Sequence, residues 1–156
     1  MVIVKKAVAG TSETALTRFA SRAKTAVRLR GEVAVLVTGN REIQKLNKEF
    51  RKKNKPTDVI SFPSEVNGVA GDIAISAEIA QANARKLGHD AAAELKILIL
   101  HGMLHLAGFD HEVDAGEMAR KEARLRKQFR LPVGLIERAT EDRPKAGAAG
   151  RAKGTR

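Results

Sequence analysis

His101, His105 and His111 fall within one eleven-residue segment, HGMLHLAGFDH, of a 156-residue chain that contains only four histidines. On an α-helix, residues four apart lie one turn above each other and about 40° apart around the axis, so His101 and His105 point the same way. Gly108 follows three residues later and lets the chain leave the helix through a positive φ, which swings His111 back toward the same point. Three imidazoles converging in this way form a ligand set for one metal ion. The fourth tetrahedral position is left to water, the pattern of catalytic rather than structural zinc. Three neutral nitrogen ligands suit Zn2+ first. A single histidine on an apolar helix is more often a satisfied core residue than a ligand. Here the polar nitrogens of two of them need partners on a helix that offers none of its own. Asp110 is the nearest residue in sequence to orient a ring from behind, or equally to cap a turn. His89, beside Gly88 at a helix end, reads as an ordinary surface residue.

The spacing matches H-E-x-x-H-x-x-G-x-x-H with one change: Gly102 stands where metalloproteases carry the glutamate that takes a proton from the metal-bound water. The ligand pattern survives and the base does not. A peptidase would need a carboxylate from elsewhere, with Glu94, Glu112 and Asp72 as the candidates.

The elements that must hold this segment follow from periodicity. Residues 91–107, AAAELKILILHGMLHLA, are apolar nearly all round, which predicts a helix buried at the centre of the domain, with Asp90 as its cap and Gly108 as its end. Short strands are expected at 2–8, 32–38, 58–62 and 72–76. Helices are expected after Thr11 or Ser12, with Leu16, Phe19, Ala20, Ala23 and Val27 on one face, and after Asn40, with Ile43, Leu46 and Phe50 on one face. Another is expected at 77–87, capped by Ser76 and closed by Gly88, and a last one over 113–130. Pro56 cannot continue the second helix. The expected fold is α+β: a single zincin-like domain with a small mixed sheet and a buried central helix carrying the metal ligands, over residues 1–142. Residues 143–156 read as a basic tail without apolar periodicity, expected to be disordered.

Composition narrows the function classes. The chain has no cysteine, which removes thiolate ligands, disulfides and a cysteine nucleophile. No run approaches the roughly 18 apolar residues of a membrane span, and the N-terminus lacks the features of a secretory signal, so a cytoplasmic protein without a membrane partner is expected. Net charge is +11, of which five units lie in residues 143–156 and six in residues 1–142. A basic domain of this kind has polyanions as natural partners.

HGMLHLAGFDH resembles the H-G-x-L-H-L-x-G-[YF]-D-H signature of the YbeY family, bacterial metal-dependent endoribonucleases of ribosomal RNA maturation. FRKKNKPTDVISFP (50–63) and GDIAIS (71–76) resemble two further segments of that family, in the same order, within residues 32–137. Departures are mild: Asn54 where Asp is common, Ile60 for Leu, Phe109 for Tyr. The basic tail is outside the pattern. The resemblance implies that His101, His105 and His111 bind one Zn2+ and that Arg51 is the catalytic arginine. Chemistry agrees, since a guanidinium can clamp two oxygens of a phosphate as charge builds in the transition state. Lys53 and Lys55 are then candidates to bind the substrate backbone. The resemblance further implies single-stranded RNA or ribosomal RNA precursors as substrate, with the ribosome or its proteins as partners. Two alternatives remain: a metallopeptidase-like hydrolase, and a non-catalytic zinc-containing ribosome-associated factor, for which Asp110 would have to be a fourth ligand.

Overall fold

A computed structural model describes residues 1–51 and 57–141, with the side chains of Arg51 and of residues 139–141 left out. Arg51 closes a helix, but the residues proposed to bind substrate, Lys53 and Lys55, and the tail 143–156 lie outside the described residues.

The β-branched run EVAVLVT forms β2 (Glu32–Thr38), flanked by β1 (Val2–Val4) and β4 (Val69–Ser76), both parallel to it. β3 (Val59–Pro63) pairs antiparallel with β4 and completes a four-stranded mixed sheet of order β1-β2-β4-β3. Val33, Val35, Val37, Ile73 and Ile75 alternate onto one face, each no more than 7% exposed. The helices α1 (Glu13–Val27), α3 (Ala77–Leu87), α4 (Ala91–Leu106), α5 (Glu117–Gln128) and α6 (Leu135–Glu141) follow in the described chain. The whole is the expected α+β domain built on one small mixed sheet, and no helix among the described residues is long and apolar enough to cross a membrane.

α4 is the centre. Leu95, Ile97, Leu98, Ile99, Leu100, Met103 and Leu104 are all at most 1% exposed, enclosed by β3 and β4 on one side and by α1, α3, α5 and α6 on the others. Burying each such side chain contributes about 1.5–3 kcal/mol, which makes α4 the main source of apolar stabilisation in the domain. Its polar residues are therefore enclosed as well. Glu94 is fully buried and receives two hydrogen bonds from Arg138 on α6, at 2.9 and 2.6 Å. Burial alone raises the pKa of the Glu94 carboxyl. The hydrogen bonds and charges of Arg138 and His89 outweigh it and hold the pKa below the ordinary carboxylate value.

On the opposite sheet face lies α2 (Asn40–Arg51). Ile43 joins Ile60 and Ala74 in a small second core, with Leu46 and Phe62 beside it. The ring of Phe50 meets that of Phe62 edge-on at 5.3 Å, so the last turn of α2 is held against β3.

Several expectations shift. β1 stops at Val4 rather than Val8, because Lys5 and Lys6 both turn to donate to the Val37 carbonyl. α5 begins at Glu117 rather than at 113, since Asp110 and Asp114 hold residues 110–116 in turns through bonds to the backbone of Glu112, Gly116 and Met118. Ser12 and Ser76 cap α1 and α3 as expected, whereas Asp90 occupies its cap position without making a side-chain bond. His89 is no ordinary surface residue: its Nε2 lies 2.7 Å from Glu94 Oε1, with the side chain only 14% exposed. α6 had no counterpart in the sequence reading.

Candidate metal centre

The last two turns of α4 present His101 and His105 on one stripe, and the chain then turns at Gly108, whose φ is +102°, to bring His111 alongside. The ring centroids are 4.8 Å apart for His101 and His105, and 5.6 and 5.7 Å from these two to His111. One ligand atom from each of the three lies within 4.8 Å of the others.

Hydrogen bonding fixes which nitrogens face inward. Nδ1 of His105 lies 3.1 Å from the Phe109 carbonyl oxygen. A carbonyl only accepts, so Nδ1 carries the proton and Nε2 carries a lone pair. Nδ1 of His101 lies 2.7 Å from Oε2 of Glu122, which in the neutral ring leaves Nε2 bare in the same way. The two Nε2 atoms face each other at 3.2 Å. Two inward lone pairs at that distance repel unless a cation lies between them. Burial, with the neighbouring His101 and His111, lowers the pKa of His105 from 6.5 to about 4, so its ring is neutral and ready to ligate at neutral pH. The donors thus fit a metal ion, and 3.2 Å is close to the edge of about 3.3 Å expected for a tetrahedron of imidazole nitrogens around an ion of zinc's size.

Glu122 is the residue that sequence reasoning missed. It comes from α5, is 1% exposed, and orients His101 in the role considered for Asp110. Asp110 instead caps its own turn by accepting from the Glu112 amide at 3.1 Å. Among the described residues no carboxylate joins the three histidines as a ligand. The other carboxylates considered as a base are placed elsewhere. Glu94 is committed to Arg138 and His89. Asp72 alternates with Ile73 on β4 and so faces away from α4, while Glu112 is exposed on the turn.

Gly102 has a physical cause of its own. A Cβ at this position would lie 2.9–3.1 Å from the side-chain carbons of Ile73, so α4 rests on β4 with no room for any side chain. Ser61 of β3 adds a long contact, its Oγ 3.4 Å from the Gly102 carbonyl. The position held by glutamate in the metalloprotease pattern is packed against the sheet here. Arg51 ends α2, whose Phe50 packs on Phe62 of β3 on the sheet face turned away from α4, and its side chain lies outside the described residues.

Comparison with known proteins gives a concordant result. The sequence model of the family described as Endoribonuclease YbeY matches residues 2–130. A protein from Koribacter versatilis named Endoribonuclease YbeY is 55% identical over 146 residues, covering 94% of this chain and 96% of the relative. One of the same name from Solibacter usitatus is 48% identical over 137 residues, covering 88% and 92%. The solution structure of TM1509 from Thermotoga maritima superposes with a TM-score of 0.57 at 27% identity, covering 97% of this chain and all of that one.

Two outcomes follow from this geometry. In an open helix Gly→Ala stabilises by about 1 kcal/mol. At Gly102 the overlap with Ile73 reverses the sign, and Gly102→Ala is expected to destabilise by about 1–3 kcal/mol in urea unfolding, with Ile73→Val restoring part of the loss. Unchanged or raised stability would show that α4 does not rest on Ile73. The second outcome concerns pH. Because the folded pKa of His105 is depressed to about 4 from 6.5, its contribution to stability is fully present above about 6.5 and is lost as pH falls toward 4. Thermal unfolding of the metal-free protein should therefore show a falling Tm across that window, and His105→Phe should flatten the fall.

Proposed function

The chain belongs to the YbeY endoribonuclease family, and from that premise we propose that it is a metal-dependent endoribonuclease cleaving single-stranded RNA, with ribosomal RNA precursors as its substrates. The observation that carries the metal dependence is the pair of inward Nε2 atoms of His101 and His105 at 3.2 Å, each ring held from behind by an acceptor. His101, His105 and His111 hold one ion, and Zn2+ is the reading that three neutral imidazoles favour. When bound, it supplies a Lewis acid and lowers the pKa of a coordinated water.

The chain's own residues do the rest. Glu122 and the Phe109 carbonyl keep His101 and His105 in the ligating tautomer. Arg51, at the end of α2, is the catalytic arginine that neutralises charge on the phosphate. Support for that role comes from the family match, which runs over residues 2–130 and so includes Arg51. Lys53 and Lys55, which follow it closely in sequence, bind the substrate backbone. With five phenylalanines and no other aromatic among Phe, Trp and Tyr, the chain has little to stack bases on. Affinity then comes mainly from phosphate contacts. Action on ribosomal RNA places the protein in the cytoplasm, beside the ribosome or its proteins.

His105→Ala is expected to abolish both metal uptake and cleavage of a defined single-stranded RNA. Arg51→Ala should keep one metal per chain while turnover falls by roughly 10²-fold or more. Full cleavage by metal-free His105→Ala protein would sink the metal dependence, and normal turnover by Arg51→Ala would remove that residue from the site. Raising salt from 50 to 200 mM should weaken RNA binding steeply, and a flat response would argue against backbone contacts as the source of affinity.

A further inference from the structure

Glu122 does not serve His101 alone. While Oε2 accepts from His101 Nδ1 at 2.7 Å, Oε1 accepts from the backbone N–H of Ile136 in α6 at 2.9 Å. Gly134, just before α6, lies so close that a Cβ there would sit 2.8 Å from Oε1. The carboxylate is thus clamped between the metal ligand and the C-terminal helix, and at 1% exposure it has no water to fall back on. A second bond secures the same helix. Arg138 of α6, itself 8% exposed, makes its two hydrogen bonds to Glu94. Glu94 and His101 are seven residues apart on α4, two turns along one stripe and about 10 Å from each other. α6 is therefore tied to α4 at two points of the stripe that continues to His105: directly at Glu94, and through Glu122 at His101. The matched family segment ends at residue 130, so this helix lies beyond it.

We infer that α6 is a brace for the metal centre, with Glu122 and Arg138 as positioning residues that set the orientation of the His101 ring. The ion pair of Arg138 with Glu94 fixes where α6 sits. The position of α6 fixes the Ile136 amide, and that amide holds the half of the carboxylate that His101 does not use. Loosening Arg138 lets Glu122 rotate and leaves the His101 ring without a fixed direction. The half-buried pair Arg126 Nε–Glu137 Oε1, at 3.0 Å, also ties α5 to α6 but touches neither Glu122 nor Glu94.

The inference rests on the metal-centre reading above but not on the choice of substrate. It is tested in the full chain with Co2+ as the probe, by chelator competition and by the visible absorption of the bound ion. Wild type must bind Co2+ with a tetrahedral spectrum; failure to do so overturns the metal centre and the brace with it. Glu122→Gln is the sharpest variant, because an amide can accept from only one of the two N–H groups and turns a donor toward the other. Its affinity should fall about 10–100-fold with an altered spectrum. Arg138→Ala should lose affinity in the same direction by about 10-fold, and Arg138→Lys should recover part of it. A variant in the second core on the opposite sheet face, Ile43→Ala, controls for general loosening and should bind as wild type does. If Arg138→Ala and Glu122→Gln remain folded by circular dichroism and keep wild-type affinity and spectrum, the brace is refuted. If Ile43→Ala weakens binding as much as they do, the effect is mere destabilisation and the brace is likewise refuted.

Discussion

A helix as apolar as α4 has no face to give to water, and the domain is arranged around that constraint. The sheet takes one side through Ile73 and Ile75, and α1, α3, α5 and α6 take the others. Every polar group on the helix must then be satisfied from within, because a buried unpaired charge or ring nitrogen costs several kcal/mol. Glu94 takes Arg138 and His89, and His101 takes Glu122. The same enclosure that supplies stability also dictates where the surrounding helices must place their few complementary polar side chains.

The ligating stripe gains its directionality from this enclosure. A solvent-exposed imidazole can rotate, change tautomer or take up a proton. His101 can neither rotate nor change tautomer freely, since its ring is buried and Glu122 holds Nδ1. His105 is partly buried, and desolvation keeps it neutral well below neutral pH. Both rings are therefore presented as lone-pair donors before any ion arrives. The cost of creating that arrangement is met by the apolar core rather than by the ion, which is the physical meaning of preorganisation in such a site.

Much of this was legible in the sequence because it depends on local pattern. The apolar run 91–107, the i, i+4 histidines and the strands of β-branched residues are local features. So are the serine caps of α1 and α3, and α4 lies where its composition placed it. What was illegible depends on contacts between residues far apart in the chain. Glu122 stands 21 residues from His101 and looked like one more charge on an amphipathic helix. His89 looked exposed because its partner, Glu94, was considered only as a possible base and not as a hydrogen-bond acceptor for it. α6 is seven residues long and too short for helical periodicity to declare itself; it exists because Glu122 and Glu94 hold it. Asp110 shows the converse. Nearness in sequence offered two roles, behind a histidine or in a turn, and its short side chain takes the local one.

Gly102 connects the packing to the chemistry. The pattern that places a proton-accepting glutamate one residue after the first histidine requires that position to be open to the metal cleft. Here it is pressed against Ile73, and a side chain would force Ile73 or α4 to shift. Three neutral ligands and no carboxylate in the cluster, among the described residues, leave the charge of a bound divalent ion undiminished at its open face. The nearby anions stand outside the ligand set: Glu122 is one ring removed and shared with α6, and Asp110 and Asp114, near His105 and His111, are engaged with the backbone of their own turns. The same three imidazoles serve peptide hydrolysis in the metalloprotease pattern, so what turns this centre away from peptides is the missing base at Gly102. The net charge of +6 over residues 1–142 favours an anionic phosphodiester instead. The packing of a helix on a strand, through one absent side chain, thus bears on which class of bond the metal centre is suited to break.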